Sequence, residues 1–244
     1  EVPSASRTAK GQAIVNFLQL APEEKVASVL TSEDLSAYKY LVMVSRQGTI
    51  KKTEISAFAN VRKTGLIVVK LKGDDVLQWI KPSSGKDDIV LVTAEGQSIR
   101  FKEKDIRPMG RAAAGVRGVR LSKKGDEVVG MDLVNEGKAS SGEQLLVIMS
   151  NGYGKRTPLS QYKVQGRGGS GIKTAMITPK TGKLCAAFIV NSHLEQEDVI
   201  IISEKGQMIR IPLKTVNVIG RATQGVRIMK FKQEGDKVAS VTFI

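Results

Sequence analysis

A stretch of about fifty residues recurs four times along this chain and half-appears a fifth, and no other feature constrains the fold as tightly. Its clearest part is an apolar run, a glycine turn and a basic return. The copies are Leu41–Lys52, Ile89–Arg100, Leu145–Arg156 and Val199–Arg210. Their turn glycines, Gly48, Gly96, Gly152 and Gly206, lie about 48, 56 and 54 residues apart, the spacing of solenoids and propellers. The apolar runs are short, rich in Val and Ile and bounded by glycine, which is a strand signal. No long stretch keeps a helical period, so helix is expected only in short connecting turns such as Glu33–Tyr38.

Each full unit reads as four strands, the first two forming the glycine hairpin. A loop follows that runs from an arginine to a glycine, as in Arg111–Gly115 and Arg221–Gly225, with an orphan copy at Arg7–Gly11 and a tighter one at Val61–Gly65. A third strand is expected after that glycine, at Leu66–Leu71 and Val226–Phe231. A Gly-Asp turn comes next (Gly73-Asp74, Gly125-Asp126, Gly235-Asp236), and then a fourth strand at Val76–Ile80, Val128–Leu133 or Val238–Phe243. Four-stranded units of this length are blades, and each is too small to bury its apolar face without a neighbour. The expected fold is all-β: a propeller-like single domain over 1–244. Full blades are placed at 37–86, 87–142, 143–196 and 197–244, and a partial blade at 1–36 that holds Ala13–Leu20 and Val26–Leu30 but no glycine hairpin. An uncovered half-blade leaves open sheet edges. The start at Glu1, not at Met, reads as a fragment or a processed product.

Charge narrows the partner. Lys and Arg number 38 against 24 Asp and Glu, a net charge of +14, which favours an anionic polymer, and nucleic acid is the commonest one. The plain alternative is a solubilising surface, but these cations recur in register. The single cysteine, Cys185, lies in the apolar run Leu184–Val190 and reads as a small core residue. One thiol forms no internal disulfide, and neither a membrane-span-length apolar stretch nor a signal peptide is visible, so a cytoplasmic setting is expected, with no membrane partner.

The most specific string is Gly152–Gly171. It resembles the C-terminal domain of the A subunit of bacterial DNA gyrase, a family with a seven-residue box of glutamine, two basic residues, two glycines, a basic residue and glycine. The box here is Gln165, Gly166, Arg167, Gly168, Gly169, Ser170 and Gly171, with two of the three basic positions lost to Gly166 and Ser170. The resemblance covers essentially the whole chain: Ala5–Asn16 looks like the start of the family's second blade and Ile219–Val226 like part of its last. It implies a β-pinwheel, a propeller-like array whose blades exchange strands. It further implies that duplex DNA wraps around a basic outer rim to make supercoiling directional. The cleavage core with its tyrosine nucleophile, in the N-terminal part of the same polypeptide, and the ATPase of the gyrase B protein are implied partners lying outside this chain. On that alignment the first blade, with the family's main box, is missing, and the fragment is expected to bind DNA but wrap it poorly. The corresponding domain of topoisomerase IV is a variant of the same reading, and a basic propeller scaffold for acidic proteins is the alternative from another class.

Wrapping needs cations spread along a path and little base readout, because phosphate neutralisation does not depend on sequence. Candidate DNA-binding residues in the hairpin returns are Lys51, Lys52, Arg100, Lys102, Lys155, Arg156 and Arg210. In the loops they are Arg7, Lys10, Arg62, Lys63, Arg111, Arg167 and Arg221, and beyond the loop glycines Arg117, Arg120, Lys173 and Arg227. The box glycines would let backbone N–H groups approach a phosphate, or would merely shape the loop. Tyr153 stacks at DNA or packs between blades, Tyr162 braces the box loop, and Trp79 belongs to the core. No catalytic or metal site is expected, and no cofactor. His193 is a lone loop histidine, no Cys or His pair has metal spacing, and Asp87-Asp88 and Gly73-Asp74-Asp75 read as turn acids. Gly166–Gly171 lacks the Gly-Lys-Ser/Thr ending of a nucleotide loop.

Overall fold

The computed structural model describes residues 6, 8–13, 16, 26, 29–30, 35–59, 65–121, 123–135, 142–191 and 197–244. Arg7, Arg62, Lys63, His193 and most of the expected partial blade lie outside them. Among the described residues the fold is all-β, in four antiparallel sheets. Four hairpins supply their centres: β1 (Tyr40–Ser45) with β2 (Thr49–Glu54), β4 (Asp88–Thr93) with β5 (Gln97–Lys102), β8 (Glu143–Met149) with β9 (Tyr153–Pro158), and β12 (Asp198–Ser203) with β13 (Met208–Pro212). Each turns at its repeat glycine, with φ between +78° and +83°, a conformation that glycine adopts without a Cβ penalty. The long strand closing each unit, β3 (Leu77–Ser83), β7 (Val128–Val134), β11 (Leu184–Asn191) or β15 (Val238–Phe243), pairs with the first strand of its own hairpin.

The remaining strand does not stay in its own unit. β6 (Val116–Arg117), which follows the second hairpin, pairs with β2 of the first. β10 (Ile172–Lys173) pairs with β5, and β14 (Val226–Arg227) with β9. The sheets therefore run β3-β1-β2-β6, β7-β4-β5-β10, β11-β8-β9-β14 and β15-β12-β13, and each exchanged strand is an edge. Blades exchange strands, as the resemblance implied, and the third strand expected inside each unit is corrected to a two-residue strand in the preceding blade. Leu66–Leu71, expected as a third strand, forms no strand.

The continuous apolar runs of the second and third sheets are covered on both faces. Every residue of β4 is buried. Ile89 and Leu91 enter a core shared with Val42, Val44 and Ile50 of the first blade. Val90 and Val92 enter a second core with Leu145, Val147 and Met149 of the third. Leu146 and Ile148 face a third core with Val199 and Ile201. The hydrophobic core thus lies between blades, about 1.5–3 kcal/mol for each fully buried aliphatic side chain. Short 3-10 turns follow each hairpin at Ile55–Phe58, Glu103–Asp105, Leu159–Gln161 and Leu213–Thr215.

Candidate nucleic-acid interface

The hairpin-return cations sit in three settings, and most of them face protein. Lys52, Arg100 and Arg156 occupy one register position and each is at most 8 % exposed. Lys52 Nζ donates to the Glu103 carbonyl (3.2 Å) and pairs with its carboxylate (3.4 Å). Arg100 donates to the carbonyls of Leu159 (3.4 Å) and Tyr162 (3.3 Å) while holding Asp88 at 2.7 Å. Arg156 donates to those of Val216 (2.8 Å) and Lys214 (3.1 Å). In each case a cation on one hairpin caps carbonyls of the 3-10 turn after the next hairpin. Lys51 and Lys155, one residue earlier, are also fully buried, and Lys102 is paired with Asp88 at 2.9 Å. Burial lowers the pKa of Lys51 and Arg156, and burial followed by the charge of Arg221 lowers Lys155 to about 8. Lys51, Lys52, Arg100, Lys155 and Arg156, expected at phosphates, are thus buried in this structure and bonded to carbonyls of a neighbouring blade. A phosphate could reach them only after their carbonyl partners had been stripped away, and an unpaired buried polar group is costly. Arg210 alone keeps the exposed setting expected of the series, paired with Asp198 at 2.6 Å.

The cations beyond the loop glycines are different. Arg117, Lys173 and Arg227 are the second residues of β6, β10 and β14, and all three are exposed, as is Arg120. They stand on the same edge of three successive sheets. The loop arginines join them across blades. Arg167 donates to the carbonyl of Arg117 and, at 3.3 Å, to that of Asp105. Arg221 donates to the carbonyl of Lys173 at 2.8 Å. Both are half-buried, so each guanidinium is steered by backbone while part of it faces solvent. Arg111 is half-buried at the same place in its loop, and Lys10 is exposed. Arg227 lies over the Tyr153 ring, 5.3 Å from its centre, and donates to the hydroxyl at 2.8 Å. Tyr153 is itself buried, so it packs between blades and holds a cation rather than stacking on a base. The arrangement is a stepped row of cations running from blade to blade along the exchanged strands.

The box loop lies across this row. Gly168 N–H donates to the Gly118 carbonyl (2.8 Å), Arg120 N–H to the Gly169 carbonyl (2.8 Å) and Gln165 N–H to the Arg100 carbonyl (2.7 Å). The Gly168 amide is thus committed to the neighbouring blade. Gly171 has φ of +75°, and an added Cβ would meet the Ser98 carbonyl. Gly115 and Gly225, which are not in the box, repeat that geometry against the carbonyls of Ile50 and Gly154. The loop-closing glycine therefore serves strand exchange. Gly166 and Ser170 are exposed and bring no charge.

Sequence reasoning missed an open basin beside β6, where Lys70, Lys72 and Lys123 join Arg117 and Arg120. Lys70 falls in an expected strand, and nothing but its charge could have marked it. Tyr162 is buried, with its pKa raised by burial, and its ring lies 5.9 Å below Arg221. Trp79 packs at the margin of the first core. Asp75, Asp126 and Asp236 are turn caps: Asp75 accepts from the N–H groups of Gln47 and Val76, Asp126 from those of Glu95 and Glu127, and Asp236 from those of Lys205 and Lys237. Asp87 accepts from the Ser84 N–H in the same way, but Asp88 is corrected from a turn acid to a buried strand residue paired with Arg100 and Lys102. Burial pushes the Cys185 thiol up to about 12. Among the described residues no group of three or more His, Cys, Asp and Glu is placed to hold a metal, and no helix is long and apolar enough to cross a membrane.

Comparison with known proteins agrees with this fold. The chain is 39% identical over 242 residues to the DNA gyrase A protein of Staphylococcus epidermidis, covering 99% of this chain and 26% of the relative. It is 38% identical over 231 residues to the DNA gyrase A protein of Staphylococcus aureus, covering 94% and 25%. It thus spans about a quarter of the length of these relatives. Among solved structures, a DNA gyrase A C-terminal domain superposes with a TM-score of 0.81 at 25% identity, over 96% of this chain and 75% of the other. A topoisomerase IV C-terminal domain superposes with a TM-score of 0.85 at 24% identity, over 96% and 70%, a likeness of fold alone. The family model described as "DNA gyrase C-terminal domain, beta-propeller" matches residues 1–33, 39–84, 87–135, 143–191 and 197–244, so with its strand-exchanged blades and in-register cations the chain belongs to that family.

Proposed function

We propose that this chain binds duplex DNA through its backbone, without base specificity, and bends it along the row of exchanged strands. In the whole protein this would serve directional supercoiling by a type II topoisomerase of the gyrase kind. The observation that supports it best is the stepped row itself: Arg117, Lys173 and Arg227 at one register on three successive sheet edges, linked by Arg167 and Arg221. Bending a 20–30 base-pair site by 40–90° costs about 1–6 kcal/mol, a load that several blades can share through a few phosphate contacts each. Among the described residues the sheets present no helix to a groove, so the interface suits phosphate tracking more than reading of base edges. Cutting of DNA is assigned to the cleavage core of the same polypeptide, and use of ATP to the gyrase B protein. The units at 1–36, 37–86, 87–142, 143–196 and 197–244 act here as one cytoplasmic DNA-binding domain that needs no cofactor. Identity to gyrase A relatives favours gyrase over topoisomerase IV.

The test is binding of two unrelated duplexes of about 40 base pairs across a salt series, with the triple variant Arg117→Ala, Lys173→Ala and Arg227→Ala. Both duplexes should bind alike, and log K should fall steeply with log salt. The variant should lose affinity for both, with a slope smaller by about 0.9 for each phosphate contact removed. A loss confined to one duplex would contradict backbone tracking. No binding at low salt would turn the reading toward an acidic protein partner.

A further inference from the structure

The buried lysines mark a feature that the fold itself does not require. Lys51 and Lys155 occupy equivalent positions, three residues past the hairpin glycine; Ile99 and Ile209 occupy the same position in the other two hairpins. The register confirms the equivalence: Lys51 pairs with Met43, Ile99 with Leu91, Lys155 with Val147 and Ile209 with Ile201. An apolar side chain therefore fills this place in the same blade geometry, Ile99 without any exposure. A lysine here carries a desolvation cost that an isoleucine avoids, so it is informative to see what the ammonium holds.

It holds the arginine loop. Lys155 Nζ donates to the carbonyls of Gly220 (2.8 Å) and Arg221 and to the Thr223 hydroxyl (3.0 Å). Lys51 Nζ donates to the carbonyls of Arg111 and Val68. In both blades one acceptor is the carbonyl of the loop arginine itself. The two hairpins with lysine receive the loops Arg111–Gly115 and Arg221–Gly225. The hairpin with Ile99 receives Arg167–Gly171 of the box, an arginine loop whose remaining residues are Gly168, Gly169 and Ser170, and Gly169 comes close to the isoleucine. Among the described residues the hairpin with Ile209 receives no loop. The lysine thus serves two of the three arginine loops that these hairpins receive; the third, Arg167–Gly171, has the same Arg-to-Gly spacing but no lysine, and its guanidinium is held by the carbonyls of Arg117 and Asp105.

We propose that Lys155 and Lys51 are positioning residues for DNA binding, each fixing the backbone of one loop arginine so that its guanidinium is presented to a phosphate. For Arg221 the presentation is held at three points: its carbonyl by Lys155, its Nη1 by the Lys173 carbonyl, and its guanidinium plane over Tyr162. Ordering the arginine before DNA arrives removes part of the entropy cost of the contact. The inference rests on the phosphate-binding reading above and assigns it a support.

The experiment is a double-mutant cycle on the full chain, read as duplex affinity and salt slope for Arg221→Ala, Lys155→Met and the pair. Arg221→Ala should cost about three- to tenfold, or roughly 0.7–1.4 kcal/mol, and lower the salt slope by about 0.9. Lys155→Met should weaken binding by a similar factor in the wild-type background and by almost nothing in the Arg221→Ala background. A purely structural lysine would cost the same in both backgrounds, and that additive result overturns the inference while leaving the phosphate reading intact. No loss on Arg221→Ala overturns the phosphate contact itself and the inference with it. Should Lys155→Met not fold, Thr223→Val takes its place in the cycle: it removes one acceptor of the ammonium without touching the hairpin, and the same coupled or additive outcomes decide.

Discussion

At Gly171 an added Cβ would overlap the Ser98 carbonyl oxygen, in a backbone with φ of +75°. Spacing alone marks this glycine as required, since Gly115 and Gly225 close their loops in the same way. Spacing does not say what approaches it, and phosphate and a neighbouring strand demand the same lack of a side chain. The same ambiguity holds for the lysines, because a cation in register signals a repeated partner whether that partner is DNA or, as at Lys51 and Lys155 here, a carbonyl. Titration tells the two apart. Burial, then the nearby Arg221 charge, lowers Lys155 from 10.5 to about 8. Between those values the folded chain has released a proton that the unfolded chain still binds, so stability contributed by this group rises as pH climbs from about 8 toward 10. Below about pH 8 both states are protonated and the contribution is flat. Urea midpoints at about pH 7, 8.5 and 10 should therefore show wild type gaining on Lys155→Met at the alkaline end. A difference that stays constant with pH would mean that Lys155 titrates normally and is not desolvated.

The hairpins are the elements most legible in sequence, since a Val/Ile run, a glycine and a return fix two strands and their register. The third strand was legible as a pattern and illegible as a placement. It is two residues long, it belongs to the preceding sheet, and it pairs with a hairpin strand well upstream, Arg117 with Thr49, Ile172 with Ser98 and Val226 with Gly154. The hairpin-return arginines make this difference measurable. Arg156 caps the Val216 and Lys214 carbonyls of the following 3-10 turn, whereas Arg210 sits at the same position in the last hairpin, exposed and paired with Asp198. Arg156→Met should cost about 1–3 kcal/mol of stability, because it leaves buried carbonyls without donors. Arg210→Met should cost about 0–1 kcal/mol, the worth of a surface pair. Neither change should alter the salt slope for duplex binding as much as loss of Arg117 does. Equal destabilisation by the two substitutions would show that the carbonyl caps contribute nothing beyond a surface ion pair.

At the scale of the whole molecule each core belongs to two blades, so stability is carried by interfaces between units. β4 is covered on both faces and belongs to two cores at once, while β13 is an edge paired only with β12 and leaves Met208 63 % exposed. That gradient was hidden from the sequence, where Ile89–Thr93 and Val199–Ser203 look equally apolar. It predicts how amide exchange should vary along the array. Protection should be highest in β4, β5 and β8 and lowest in β12 and β13, because opening the last sheet exposes one interface and opening a middle sheet exposes two. Adding duplex DNA should slow exchange chiefly around β6, β10 and β14, where the row of exposed cations stands. Protection gained instead at the buried hairpin returns would mean that DNA prises blades apart to reach Lys52, Arg100 and Arg156, and the row along the exchanged strands would no longer be the binding path. The free-state gradient and the DNA-induced pattern come from separate features, blade coverage and charge placement, so a flat free-state profile would count against the interface-carried core without touching the binding surface.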